Sequence, residues 1–216
     1  MRALLACFLV LPTTAVAAQQ ALDQVLSIQQ SGREIGREEY SVQRGGRTSS
    51  TVLTARARYP AAYPTMQVAL TEERSADGGI SKFELDVQAP EGNVVILAAG
   101  SGARLIVRSV TKGSEAGREL PAGRDLVLLD DGVYSLYLPV ADAATPSGAR
   151  LTAIFPRTGR RATLVARREA GPDGTVRIQL AGDIAGTLTV DAQGRLQRLE
   201  LPAAGTVVTV VTPAKK

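Results

Sequence analysis

Most of the chain alternates between hydrophobic and polar residues over short segments that are separated by turn residues. The clearest example is Ile80–Gln88, where Phe83, Leu85 and Val87 alternate with charged neighbours. A period of two is typical of strands with one buried face. Such segments recur roughly every 8 to 12 residues, so the sequence predicts an all-β, mainly antiparallel domain of about a dozen strands. Two segments lack the pattern. We expect Ala18–Gln24 to be a disordered lead-in and Lys112–Arg124 to be a charged, glycine-rich loop.

The segment Leu126–Val140 departs from this alternation. Four apolar residues in it recur with the spacing of a helix face: Val133, Leu136, Tyr137 and Val140. Asp130 or Asp131 could serve as the N-cap, and we expect Pro139 to end the helix early. The spacing therefore predicts one short helix near 131–138. A strand reading of the same residues fits nearly as well, because the segment is short.

Residues 1–18 have the organisation of a secretory signal peptide. Arg2 supplies the positive start, Ala3–Leu11 form an apolar core, and small residues follow it. We expect cleavage near Ala17 or Ala18 and a periplasmic or secreted protein. The apolar core is shorter than the roughly 20 residues that span a bilayer, so we expect no integral membrane span after cleavage.

Cys7 lies inside this apolar core rather than after it, so we interpret it as part of the leader and not as a lipidation site. Residues 19–216 then contain no cysteine and form a single antiparallel β domain that burial must stabilise without disulfides. The content of 44% hydrophobic and 21% charged residues is sufficient for a core. The formal net charge of +4 is too small to indicate nucleic acid as a partner.

The composition also excludes several kinds of catalytic site. Because histidine is absent, the chain has no Ser-His-Asp or Cys-His catalysis and no histidine-based metal site. No nucleotide-binding motif occurs, and we expect no cofactor. The Asp-Gly pairs at 77–78 and 173–174 fit hairpin turns better than calcium loops, so we expect no metal.

Carboxylates remain as candidates for chemistry, and three acidic pairs stand out: Glu38-Glu39, Glu72-Glu73 and Asp130-Asp131. Adjacent residues of a strand point to opposite faces, so the first two pairs cannot converge as pairs. The third pair lies in a turn and fits a cap or turn role.

A group of arginines falls within one predicted hairpin: Arg157, Arg160, Arg161, Arg167 and Arg168. Charged side chains of this kind commonly form a solvated face that resists edge-to-edge aggregation. The alternative hypothesis is a docking patch for an acidic partner in the cell envelope.

Three segments together resemble a known group: 31–42 (SGREIGREEYSV), 128–140 (LLDDGVYSLYLPV) and 190–202 (VDAQGRLQRLELP). They are similar to exported, uncharacterised bacterial β-sheet proteins in which a long antiparallel sheet curls around a short helical insertion. That group is similar in shape to the lipoprotein-carrier (Lol-like) half-barrels of the bacterial envelope. The resemblance implies a large curved sheet or open half-barrel with one short helix.

Two functions follow from these observations. The first is a non-catalytic envelope module that holds an apolar ligand or an envelope protein segment on its curved sheet. Its expected ligand-binding residues are aromatic and apolar: Phe83, Tyr134, Leu136, Tyr137 and Phe155. The alternative is a carboxylate-based hydrolase of an envelope glycan, whose acids would come from distant strands. The sequence leaves the oligomeric state open.

Overall fold

The computed structural model describes residues 21–45, 50–60 and 66–211, so the predicted signal peptide at 1–18 lies outside the described residues. Within these ranges, fifteen strands form one large, curved and nearly closed sheet. The first eight form an antiparallel meander: β1 (Ala21–Gln30), β2 (Arg33–Arg44), β3 (Thr51–Tyr59), β4 (Met66–Arg74), β5 (Ile80–Gln88), β6 (Val94–Ser101), β7 (Arg104–Thr111) and β8 (Ser114–Pro121). The other seven follow: β9 (Leu126–Leu128), β10 (Ala149–Phe155), β11 (Arg160–Ala170), β12 (Val176–Gly182), β13 (Gly186–Val190), β14 (Leu196–Leu201) and β15 (Thr206–Val210).

The two halves of the chain are joined by their first and last strands. β15 pairs antiparallel with β1, placing Val210 opposite Leu26. β9 pairs with β10 and supplies the parallel pairing in an otherwise antiparallel sheet, with Leu126 opposite Thr152. β8 and β9 are consequently the two edges of the sheet, although they follow each other in the chain. The predicted all-β, mainly antiparallel fold is confirmed.

The hydrophobic alternation determines which face of each strand lies inside. In β3, Leu53, Ala55, Ala57 and Tyr59 are buried, whereas the residues between them point outward and are exposed. Buried positions of this kind continue from strand to strand and line the concave face. The main hydrophobic core therefore lies inside the curve of the sheet.

Residues 129–148, which we call the insert, connect β9 to β10 and pack against this concave face. A 3₁₀ turn (Ser135–Tyr137) leads into the helix α1 (Leu138–Ala143). The central part of the insert, 132–138, is buried throughout, and Val133, Leu136 and Val140 are 0% exposed. The sheet thus folds around a segment of its own chain.

The predicted short helix near 131–138 is confirmed, and it lies at 135–143. Three other expectations are corrected. Pro139 does not end the helix but stands in the first turn of α1, where its missing N–H costs nothing. The segment expected to be a loop at 112–124 contains β8, which alternation could not reveal because both of its faces are largely exposed. The lead-in expected to be disordered becomes strand β1 from Ala21 onward.

Candidate functional site

The insert is held inside the sheet partly by a buried carboxylate. Glu38 faces inward from β2 and is 0% exposed. Its Oε2 accepts a hydrogen bond from the backbone N–H of Tyr134 (2.7 Å), and its Oε1 accepts one from that of Ser135 (3.0 Å). Burial raises the pKa of Glu38 to about 6, against the opposing effect of hydrogen bonds from Ser135 and Tyr134. The carboxylate therefore anchors the start of the 3₁₀ turn.

Tyr59 provides a second anchor from the neighbouring strand β3. Its buried hydroxyl donates a hydrogen bond to the carbonyl oxygen of Gly132 (2.7 Å). The ring lies so close to β2 that a Cβ atom on Gly36 would come within 2.5 Å of its Cδ1. Only glycine at position 36 lets the ring reach the insert without displacement.

The five arginines of the predicted patch fall into two groups in the structure, two whose side chains pair with acids of the insert and three others on β11. Arg157 forms two hydrogen bonds with buried Asp130, from Nε to Oδ2 (2.7 Å) and from Nη2 to Oδ1 (3.0 Å). Arg160 pairs with Asp131 at 3.1 Å, and its guanidinium lies 3.4 Å from the ring centroid of Phe155. These two arginines therefore fasten the insert to the β10–β11 hairpin.

The other three arginines of that patch, Arg161, Arg167 and Arg168, are exposed on β11. Arg161 and Arg167 alternate with the buried alanines and leucine of this strand and so face outward. That these residues bind a partner stays a prediction.

The expected ligand-binding residues all lie in the core. Exposed fractions are 1% for Phe83, 7% for Tyr134, 0% for Leu136 and 3% for both Tyr137 and Phe155. Strand residues and insert residues are thus brought together in the interior, as part of the packing between the sheet and the insert. That they contact a ligand stays a prediction.

A cleft of about 730 Å³ lies at one end of the concave face, away from these buried residues. It lies between β2–β4 on one side and the end of the insert with β10 on the other. Its apolar walls come from both sides: Val42, Leu53, Leu138, Ala144 and Leu151. The cleft contains none of the five ligand-binding residues expected from the sequence.

Glu72 and Arg74 line the inner part of this cleft. Glu72 is 1% exposed, and its Oε1 accepts a hydrogen bond from Nε of Arg74 at 2.9 Å. Nη2 of the same guanidinium lies 2.8 Å from Oε1, so the two side chains form an ion pair. Its Oε2 is buried and has no hydrogen-bond partner among the described residues. Burial raises the pKa of Glu72, and Arg74 opposes that rise. Glu72 therefore belongs to the lining of the cleft and carries a buried acceptor with unused capacity.

The lining of the cleft carries charges of both signs. Four arginines line the cleft: Arg44, Arg74, Arg124 and Arg150. Four acids line it as well: Glu72, Asp77, Asp125 and Asp142. Among the described residues, the charges of the lining are thus balanced.

A second, wider depression of about 1310 Å³ is more open and is lined largely by outward-facing polar residues of β2–β5. Arg56, Thr71 and Glu84 are examples. Among the described residues that line this depression, none is a buried side chain with a free polar atom.

Sequence reasoning missed Glu38 and Glu72, although a signal for both was present. Glu38 has the same strand parity as Tyr40 and Val42, and Glu72 has the parity of Val68 and Leu70. A carboxylate in phase with an apolar face is predicted to point into the core. The predicted division of the two strand pairs, Glu38-Glu39 and Glu72-Glu73, between opposite faces is confirmed, since Glu39 and Glu73 are not buried.

In the described part of the chain, no group of three or more metal-ligating side chains is arranged to hold a metal ion. No helix in this part is long and apolar enough to cross a bilayer.

No family model matches the chain, and neither does any curated protein. Among solved structures, the chain is similar to the crystal structure of a DUF1089 family protein from Pseudomonas aeruginosa, with 14% sequence identity. The match covers 90% of this chain and 97% of that chain, with a TM-score of 0.44.

Proposed function

We propose that this protein is a non-catalytic binding module of the cell envelope that holds a small ligand in the cleft between the sheet and the insert. The observation that carries the proposal is the unpartnered Oε2 of Glu72 at the cleft. Buried polar atoms in folded proteins nearly always have a partner, so a free acceptor in a cleft suits a ligand donor. A volume of about 730 Å³ falls in the usual range for small-molecule sites.

The other two buried carboxylates have structural roles. Glu38 is engaged by two backbone N–H groups of the insert, and Asp130 is engaged by Arg157. Both acids hold the insert in place, and neither lines the cleft. The carboxylate-based hydrolase of an envelope glycan remains the alternative, and no observation of the geometry favours it.

The location in the envelope rests on the sequence of residues 1–18. We expect the leader to be removed near Ala17 or Ala18, leaving a protein without an acyl chain. The intact mass of the protein purified from an exporting bacterial host measures this directly. A mass that includes a lipidated Cys7 would contradict the export route proposed here.

Binding is tested by incubating the mature protein with a lipid and metabolite extract of a diderm bacterium, followed by gel filtration and native mass spectrometry. We expect one or more small-molecule adducts on the folded protein. Ala143→Phe, which places a large ring at the wall of the cleft, should remove the adducts without unfolding the protein. Glu73→Gln, on the outward face of β4, is the matched control and should retain them. Absence of adducts on the wild-type protein would overturn the proposed function.

A further inference from the structure

We infer that the ligand of the cleft is a neutral, hydroxyl-bearing amphiphile that donates its O–H to Oε2 of Glu72 and packs an aliphatic chain against the apolar walls. This inference rests on the proposed function and names the chemical class of the ligand.

The need for a donor follows from the bonding of the Glu72 carboxylate. Oε1 already accepts a hydrogen bond from Nε of Arg74 and forms an ion pair with that guanidinium, whereas Oε2 is buried without a partner among the described residues. A carboxylate oxygen accepts hydrogen bonds and cannot donate them when ionised. A ligand therefore needs an O–H or N–H group at this point, and an ether or ester oxygen would leave the acceptor unsatisfied.

The charge of the surroundings favours a neutral donor. The guanidinium of Arg74 already balances the charge of Glu72, and its remaining nitrogen Nη1 is taken by the carbonyl oxygen of Gly78 at 2.7 Å. An ammonium group at Oε2 would be close to this guanidinium and would be repelled by it. An anionic group would face Glu72 itself. The balanced charges of the lining add no net preference for either sign.

The aliphatic part of the ligand is indicated by the walls. Apolar side chains line the cleft on both sides, among them Leu53 from β3, Leu138 from α1 and Leu151 from β10. Aromatic side chains are missing from the described lining, which disfavours recognition by ring stacking. Flexible aliphatic chains bind such surfaces through burial of apolar area.

Four probes with linear alkyl chains of seven or eight carbons test the head group: 1-octanol, 1-methoxyoctane, octylammonium and octanoate. Their dissociation constants for the mature protein are measured by NMR titration of backbone amides. We expect 1-octanol to bind about tenfold more tightly than 1-methoxyoctane, which accepts but cannot donate, because one hydrogen bond to a charged group is lost. Octylammonium and octanoate should also bind more weakly than 1-octanol.

Two variants locate the interaction. Glu72→Gln places an N–H donor near the free acceptor position, so the preference for 1-octanol over 1-methoxyoctane should fall below about threefold. Ala143→Phe should weaken 1-octanol binding at least about tenfold without touching Glu72. Glu73→Gln is the control and should behave as the wild type.

The outcomes separate this inference from the proposed function. Equal affinity for 1-octanol and 1-methoxyoctane, or tighter binding of either charged probe, overturns the ligand class while binding in the cleft stands. If none of the four probes binds but extract adducts form, the ligand class is again wrong and the binding module stands. If neither the probes nor the extract bind, both proposals fail.

Discussion

At the scale of single residues, the described part of the chain buries three carboxylates, Glu38, Glu72 and Asp130. Each comes from an acidic pair whose other member is not buried. The sequence predicts the division of the strand pairs, because alternation is a property of the strand itself. It does not predict the partners. The N–H groups that bind Glu38 lie 96 and 97 residues further along the chain, and only the closed sheet brings them together.

The raised pKa of Glu38 predicts an unusual pH dependence of stability. Between about 4.5 and 6 the folded state binds this proton more readily than the unfolded state. The contribution of Glu38 to the free energy of unfolding should therefore increase as the pH falls through this window, by roughly 2 kcal/mol. Burial raises the pKa of Glu72 and of Asp130 as well, so both act in the same direction.

Urea unfolding of the wild type at pH 7 and pH 5 measures the part of this gain that falls above pH 5, and Glu38→Gln should reduce it by removing the titrating group. Glu39→Gln, at the adjacent outward position, should keep the pH dependence of the wild type. A wild-type protein that loses stability between pH 7 and pH 5 would contradict the assignment of a buried, proton-binding Glu38.

At the scale of elements, the insert is the part of the molecule that the sequence describes least well. Its apolar spacing correctly indicates a helix, but the helix begins later and extends past Pro139. Ser135 is not one of the four apolar residues of the predicted helix face, yet it is fully buried. Spacing identifies the inner face of a helix that has a solvated outer face, whereas 132–138 are buried on every side.

Strand β8 is an element that the hydrophobic pattern does not predict at all. Its residues from Ser114 to Glu119 are all exposed, so no apolar alternation marks it. Backbone pairing with β7 along its whole length makes it a strand. Pairing between backbones leaves no pattern in the sequence when neither face is buried.

The packing of the insert predicts a large cost for truncating its centre. Leu136→Ala removes a side chain that is 0% exposed and should lower the free energy of unfolding by about 2–5 kcal/mol. Asp131→Ala, which breaks the exposed ion pair with Arg160, should cost less than about 1 kcal/mol. Urea unfolding monitored by circular dichroism compares the two. Similar small effects would show that the insert contributes little to the fold.

At the scale of the whole molecule, each half of the chain depends on the other. β1 pairs with β15, and the insert from the second half fills the concave face of strands from the first. Alternation and turn residues predict the antiparallel hairpins between consecutive strands, because these contacts are local. They do not predict the parallel pairing of β9 with β10 or the meeting of the first and last strands, because both depend on long-range contacts.

This mutual dependence predicts cooperative unfolding. The mature protein should unfold in urea in one transition, with coincident curves from far-ultraviolet circular dichroism and tyrosine fluorescence. Two separate transitions would indicate that the meanders β1–β8 and β10–β15 are stable independently, which the shared core does not allow.

The insert fills the interior of the sheet, and we propose the cleft next to Glu72 as the ligand site. The most direct test is to map the backbone amide resonances that shift when 1-octanol binds to the mature protein. We predict that the largest shifts occur at residues lining the cleft, such as Leu53, Glu72 and Leu151. Shifts confined to the outer depression around Arg56 and Thr71 would contradict the claim, as would a spectrum that 1-octanol leaves unchanged.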